Sequence, residues 1–113
     1  MSSASTRARP GVNAAPLFSA LGDETRLALV ARLGGGGPLS IAELAKGAAV
    51  TRQAITKHLN VLVRAGLVRD RRRGREHLWE LQIEGVEAAR EYLGQISAQW
   101  DEALERLKRF VEG

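Results

Sequence analysis

The sequence predicts a mainly α-helical domain with one small β-hairpin, which is an α+β fold. First, apolar residues recur at spacings of three and four over most of the 113 residues, as they do in amphipathic helices. Second, residues 67–73 and 76–81 have the character of two extended segments on either side of Gly74. Third, a chain of this length has room for one core, so we expect a single domain over residues 14–113 after a disordered tail over residues 1–13.

The first two helices are predicted from their caps and their apolar spacing. The stretch AAPLFSALGD suits a short helix that stops near Gly22. Asp23 is the expected N-cap of a second helix, because an aspartate side chain can accept a hydrogen bond from the free backbone N–H groups of the first turn. The apolar face of this second helix is predicted to consist of Leu27, Val30 and Leu33. Residues 34–38, four glycines and a proline, are expected to end the helix and to form a flexible joint.

A second pair of helices follows. Ser40 and Glu43 form a capping-box pattern at the start of a third helix of about two turns. Thr51 is the expected cap of a fourth helix, which runs to about Ala65 and stops at Gly66. Two short helices joined by a turn are the pattern of a helix-turn-helix, in which the second helix enters the major groove of DNA.

The fourth helix has two chemically distinct faces. The apolar positions expected in the core are Ile55, Leu59, Leu62 and Val63. The polar positions on the opposite side are Thr51, Arg52, Gln53, Thr56, Lys57 and Asn60. Side chains of these types bond base edges and phosphates, which predicts a DNA-binding surface. The alternative is the ordinary solvated face of a core helix, because polar outer faces are common to all such helices.

Positive charge is concentrated in the middle of the chain. Residues 51–77 hold eight Lys/Arg and two acidic residues, whereas residues 78–113 hold four Lys/Arg and eight acidic residues. Close to the predicted hairpin turn lie Arg71, Arg72, Arg73 and Arg75. Their mutual repulsion is unfavourable without a polyanion, so we expect these arginines to contact the phosphates of a nucleic acid.

The last helix is predicted to run from about Ile83 to Glu112, on the order of 40 Å. An apolar stripe along it consists of Leu93, Ile96, Trp100, Leu104, Leu107 and Val111. This stripe is longer than a small domain can bury, which favours dimerisation over packing of the helix against its own domain. For Trp79 and Leu81, just before the helix, packing within the chain remains a serious alternative.

Three segments, taken in their order and spacing, resemble the ArsR/SmtB family of winged-helix repressors. They are DETR at Asp23–Arg26, HLNVLVRAGLV at His58–Val68 and the arginine-rich hairpin. The resemblance covers about residues 15–112. It implies a winged helix-turn-helix that forms a homodimer through its first and last helices, binds an inverted-repeat operator in double-stranded DNA and represses transcription.

The resemblance also assigns residues. The positions that match the family's DNA-facing recognition helix are Thr51, Arg52, Gln53, Thr56 and Lys57, and the wing contacts fall within Arg71–Arg75. Dimerisation through the first helix adds Leu17 and Phe18 to the stripe on the last helix. His58 has two interpretations, a phosphate contact and a half-buried anchor of the fourth helix. The anchor is favoured because the neighbouring Leu59 belongs to the core.

The metal-sensing positions of the family are not matched. The family's third-helix pattern E-L-C-V-C is replaced by residues 43–47, which contain no cysteine, and no histidine follows His77. Asp101 and Glu105 are interpreted as part of a solvated acidic face, because oxygen ligands alone hold zinc poorly. We therefore expect neither a metal site nor a cofactor. An unknown small molecule or protein could still act as the effector.

Other functional classes fit the sequence less well. No nucleophile, phosphate-loop or metal motif indicates an enzyme. A winged helix used for protein–protein assembly is the main alternative, and an RNA-binding module is a weaker one because few aromatic residues lie near the arginines. No window approaches the roughly 18 apolar residues of a membrane span, and the lack of cysteine favours a cytoplasmic location.

Overall fold

The computed structural model describes residues 15–113, and the tail predicted for residues 1–13 lies outside them. The fold is mainly helical with a small antiparallel sheet, as predicted. The helices are α1 (15–21), α2 (Glu24–Gly36), α3 (Ile41–Ala45), α4 (Arg52–Arg64) and α5 (Ile83–Glu112). The strands are β1 (Leu39–Ser40), β2 (Val68–Arg73) and β3 (Glu76–Leu81).

The predicted helix caps are confirmed. The Asp23 side chain accepts a hydrogen bond from the backbone N–H of Arg26 at 3.0 Å, at the start of α2. Ser40 and Glu43 form both bonds of a capping box, at 3.2 and 2.8 Å, at the start of α3. The Thr51 hydroxyl accepts a hydrogen bond from the backbone N–H of Ala54 at 3.0 Å, at the start of α4. Each cap satisfies backbone donors that would otherwise have no partner, and so defines where its helix begins.

Two expectations for α2 were wrong. The helix does not stop at the first glycine but continues to Gly36, and Gly37 ends it with a φ of 72°. Glycine costs only about 1 kcal/mol in a helix, so a run of glycines weakens the last turn without forbidding it. The buried face is also displaced, because Leu29 and Leu33 enter the core while Leu27 is exposed.

The sheet has the order β1-β3-β2 with antiparallel pairing throughout. The hairpin of β2 and β3, called the wing below, turns at Gly74, whose φ of 61° is strained for other residues. Strand β1 was not predicted, because its two residues are too few to show an alternating pattern. It pairs with the middle of β3 and so joins the wing to the start of α3.

The core is built around α4. Ile55, Leu59 and Leu62 are 0% exposed, whereas Val63, also predicted to be in the core, is only partly buried. The residues that pack with them include Leu29, Leu33, Leu44, Leu67, Val68 and Trp79. Leu17 of α1 belongs to this core as well and is 2% exposed. Its side chain therefore serves the single chain, which corrects its assignment to a dimer surface.

Within residues 15–113, helix α5 is attached to the rest of the domain mainly through its first turns. The backbone N–H of Gln82 donates to the carbonyl of Leu67 at 2.8 Å, and Ala89 is the one buried residue of α5. A Cβ added at Gly85 would overlap the carbonyl oxygen of Gly66, just after α4. The absence of a side chain at position 85 therefore allows the start of α5 to lie directly against the end of α4.

The substitution Gly85→Ala tests this close approach. Alanine favours helix, but its methyl group has to displace the backbone at Gly66, so we expect a net loss of about 1–3 kcal/mol of unfolding free energy in urea. Gly94→Ala, in the same helix with open space around it, is the matched control and should stabilise the protein by up to about 1 kcal/mol. Equal effects of the two substitutions would contradict the contact.

Candidate nucleic-acid interface

The outer face of α4 carries the polar residues predicted for it. Exposed side chains on this face are those of Thr51, Arg52, Gln53, Lys57 and Asn60. Thr56 is half-buried, and its hydroxyl donates to the carbonyl of Arg52 at 3.0 Å. The hydroxyl of Thr56 is thus engaged within the helix and that of Thr51 caps its first turn, while the side chains of Arg52, Gln53, Lys57 and Asn60 remain available to an external partner.

A polar network holds α4 against the first two helices. Arg26 donates through Nε to the carbonyl of Ala20 at 2.6 Å and through Nη1 to Nδ1 of His58 at 3.2 Å. The carboxylate of Asp23 lies 3.8 Å from the same His58 nitrogen. The backbone N–H of Arg26 stabilises the ionised Asp23 and lowers the pKa of its carboxyl group. The structure therefore supports the interpretation of His58 as a half-buried anchor.

The short helix α3 is held at both ends. At its C-terminal end Arg32 donates to the carbonyl of Leu44 at 3.1 Å and to that of Glu43 at 3.0 Å. At its N-terminal end the backbone N–H of Ser40 binds the Glu43 carboxylate and lowers its pKa. A helix of five residues is not stable by itself, so these bonds fix the geometry of the helix-turn-helix. The sequence pattern predicted the cap but gave no signal for Arg32.

The wing divides into a charge-paired base and an unpaired tip. Arg69 and Arg71 donate to Glu80 at 2.6 and 3.1 Å, and these bonds lower the pKa of the Glu80 carboxyl group. At the tip lie Arg72, Arg73 and Arg75, which are exposed and form no ion pair within residues 15–113. Of the four arginines predicted to contact phosphate, Arg71 alone is thus already paired. Glu80 was not predicted from the sequence.

The apolar stripe of α5 faces solvent in the single chain. Between 53% and 75% of the surface is exposed at Leu93, Trp100, Leu104, Leu107 and Val111. Ile96 is partly buried, and Phe110, an aromatic residue near the C-terminal end of the stripe, is 84% exposed. Phe18 of α1 packs against Tyr92 at a ring-centroid distance of 5.7 Å, which places it at the start of this surface. An exposed apolar surface of this extent usually marks an interface.

The described part of the chain matches neither of two further kinds of site, a metal-binding cluster and a membrane-spanning helix. Within residues 15–113, no three acidic or histidine side chains come together as ligands for a metal ion. None of the helices in that part combines the length and the apolar character needed to cross a membrane.

Comparison with known proteins gives a consistent result. A family model described as a helix-turn-helix domain matches residues 21–71, from the end of α1 into β2. The HTH-type transcriptional regulator Rv2034 of Mycobacterium tuberculosis is 38% identical over 95 residues, which are 84% of this chain and 85% of that protein. An ArsR-like transcriptional regulator from Rhodococcus sp. RHA1 has a TM-score of 0.74 at 36% identity, covering 88% of this chain and 92% of its own.

The chain belongs to the ArsR family of winged helix-turn-helix transcriptional regulators. As an ArsR-family regulator it binds DNA, and the relatives that it matches are named as transcriptional regulators. The homodimeric winged helix-turn-helix DNA-binding domain of a Mycobacterium bovis protein shares the fold, with a TM-score of 0.63 at 24% identity over 88% of this chain and 89% of that one.

Proposed function

We propose that this regulator is a homodimeric repressor that binds an inverted-repeat operator. In this proposal α4 enters the major groove, the wing tip contacts the DNA backbone and α5 holds the dimer together. The observation that carries the proposal is that α4 has one apolar face and one polar face. Three of its apolar residues are fully buried, so that its polar residues are presented outward beside an arginine-rich hairpin.

The first turn of α4 is the part expected to meet the bases. Recognition helices present their N-terminal residues to base edges, and here those residues are Arg52 and Gln53. Arginine can bond two acceptors of guanine, and glutamine can bond adenine as donor and acceptor at once. Lys57, one turn later, is suited to the phosphate backbone as a point charge. The arginines at the wing tip would add further phosphate contacts, which fix position without reading sequence.

Gln53→Ala tests the base contact. Loss of a bidentate contact should cost roughly 1–3 kcal/mol per half-site and relax the base preference at one position, measured by competition among operator variants. Gln99→Ala, at an exposed position on α5, is the control and should leave affinity and preference unchanged. An unaltered base preference in Gln53→Ala would mean that another face of α4 meets the groove.

Dimerisation through α5 follows from its exposed stripe. A helix of 30 residues is about 45 Å long, yet beyond Tyr92 it has no buried residue in the single chain. Pairing with the same helix of a second copy would cover the stripe, because a two-fold axis brings identical surfaces together. The M. bovis domain of the same fold is described as homodimeric. The two-fold symmetry of such a dimer matches the symmetry of an inverted repeat. A dimer bound at a promoter would block the access of RNA polymerase to it, and this requires no further domain.

Leu104→Glu tests the dimer and its role in DNA binding. A carboxylate in the middle of the stripe would be buried without a partner, which costs several kcal/mol and should separate the protomers. Because Leu104 is exposed in the single chain, the monomer should keep its fold. We expect a folded monomer by sedimentation and circular dichroism, with operator affinity reduced by orders of magnitude and non-specific affinity largely retained.

Gln95→Glu is the matched control for Leu104→Glu. It adds the same charge to the same helix at an exposed position outside the stripe, and it should remain a dimer with normal operator affinity. A monomeric Leu104→Glu protein that still bound the whole operator as tightly as the parent would contradict the dimeric repressor. Absence of any selected operator for the parent protein would instead favour a protein-interaction module.

A further inference from the structure

The base of the wing contains a three-residue ionic cluster that uses both oxygens of one carboxylate. Oε2 of Glu80 accepts a hydrogen bond from Nε of Arg69 at 2.6 Å, and Oε1 accepts one from Nη1 of Arg71 at 3.1 Å. The Glu80 side chain is 14% exposed, against 57% for Arg69 and 46% for Arg71. Glu80 is therefore the least exposed member of the cluster, and both of its carboxylate oxygens are hydrogen-bonded.

Strand register places this cluster on one face of the wing. Arg69 lies directly opposite Glu80, and Arg71 is two residues farther along the same strand and hence on the same face. On the other face, Oδ2 of Asp70 lies 3.1 Å from Nε2 of His77. Each face of the base thus contains an acidic residue in contact with a basic one. The three arginines toward the turn have no such partner within residues 15–113.

A carboxylate and a DNA phosphate compete for the same guanidinium groups. Both are anions that accept charge-assisted hydrogen bonds from arginine. Glu80 is held within bonding distance by the hairpin, so its effective concentration at Arg69 and Arg71 is high. A phosphate that approaches these arginines meets a cluster with one net positive charge instead of two.

We propose that Glu80 withholds Arg69 and Arg71 from the DNA backbone and so limits the sequence-independent affinity of the wing for DNA. The proposal rests on the proposed contact between the wing and DNA. Phosphate contacts strengthen binding to every sequence equally, and a regulator must find its operator among a large excess of other sites. Restriction of the free arginines to the wing tip therefore lowers the affinity for non-operator DNA, on which the regulator would otherwise be retained.

The substitution Glu80→Gln tests this role, because it keeps the shape of the side chain and removes its charge. Affinity for a random-sequence DNA duplex is measured at several salt concentrations. Each released arginine occurs twice in the dimer, so it should steepen the slope of log affinity against log salt by about 1.8 if both copies reach a phosphate. For both arginines this corresponds to on the order of 100-fold more affinity lost between 50 and 200 mM salt. Operator affinity should rise by about the same factor as non-specific affinity, so the ratio between them stays unchanged.

Two controls separate release of arginines from loss of a negative charge. Glu76→Gln removes one charge from the same strand at a residue that forms no ion pair within residues 15–113, and it should leave the slope nearly unchanged. The triple variant Glu80→Gln, Arg69→Ala, Arg71→Ala should lose the gain seen in Glu80→Gln. Circular dichroism of each variant establishes that the fold is retained.

The outcomes also distinguish this proposal from the proposed wing contact. Arg73→Ala, at the unpaired tip, should flatten the slope if the wing contacts DNA. A flattened slope in Arg73→Ala, together with a Glu80→Gln slope equal to or shallower than that of Glu76→Gln, would overturn the role of Glu80 alone. If none of these variants alters the slope, the wing does not contact the DNA backbone and both assignments fail.

Discussion

Complete burial of one face of α4 is the constraint on which the rest of the structure depends. Ile55, Leu59 and Leu62 have no exposed surface, and each contributes about 1.5–3 kcal/mol when it is removed from water. Rotation of α4 by one residue would expose part of this face and bury polar side chains without partners. The hydrogen bond from Arg26 to His58 adds a directional contact to the non-directional packing. The outer face of α4 is thereby fixed by the core beneath it.

The same helix determines where the dimer surface lies. Gly66 follows α4, and the close approach of Gly85 to it sets the path of α5 from its first turn. Since α5 has few other contacts with its own domain, this junction determines how the apolar stripe is oriented relative to α4. A rigid junction is what a dimeric DNA-binding protein requires, because two recognition helices have to meet successive major grooves about 34 Å apart. Flexibility there would lower the effective concentration of the second half-site.

Local sequence signals predicted local structure. The caps at Asp23, Ser40 and Thr51, the turn at Gly74 and the two faces of α4 all depend on residues within a few positions of one another. For such features the physics of a single turn or strand is sufficient. The roles of the DNA-facing and dimerisation residues remain predictions. Most of these side chains are exposed, whereas Leu17 is buried and Phe18, Thr56 and Ile96 are partly buried.

The features that sequence reasoning missed depend on contacts between residues that are far apart in the sequence. Arg26 and His58 are 32 residues apart, and Arg69 and Glu80 are neighbours only because the hairpin register aligns them. Strand β1 exists because β3 offers it a partner, and its own two residues carry no pattern. Leu17 was assigned to the dimer from the resemblance, but its side chain packs in the core of the single chain. Charge counting likewise found the arginines of the wing but not the carboxylate that pairs two of them.

Major-groove recognition by a two-fold dimer is the central claim, and methylation interference tests it most directly. Guanine N7 lies in the major groove, so its methylation blocks a helix that reads that groove. On the genomic fragment that the regulator selects, the expected result is two clusters of interfering guanines, related by a dyad and centred about 10 base pairs apart. A single cluster without symmetry, or interference confined to adenine N3 in the minor groove, would contradict the claim.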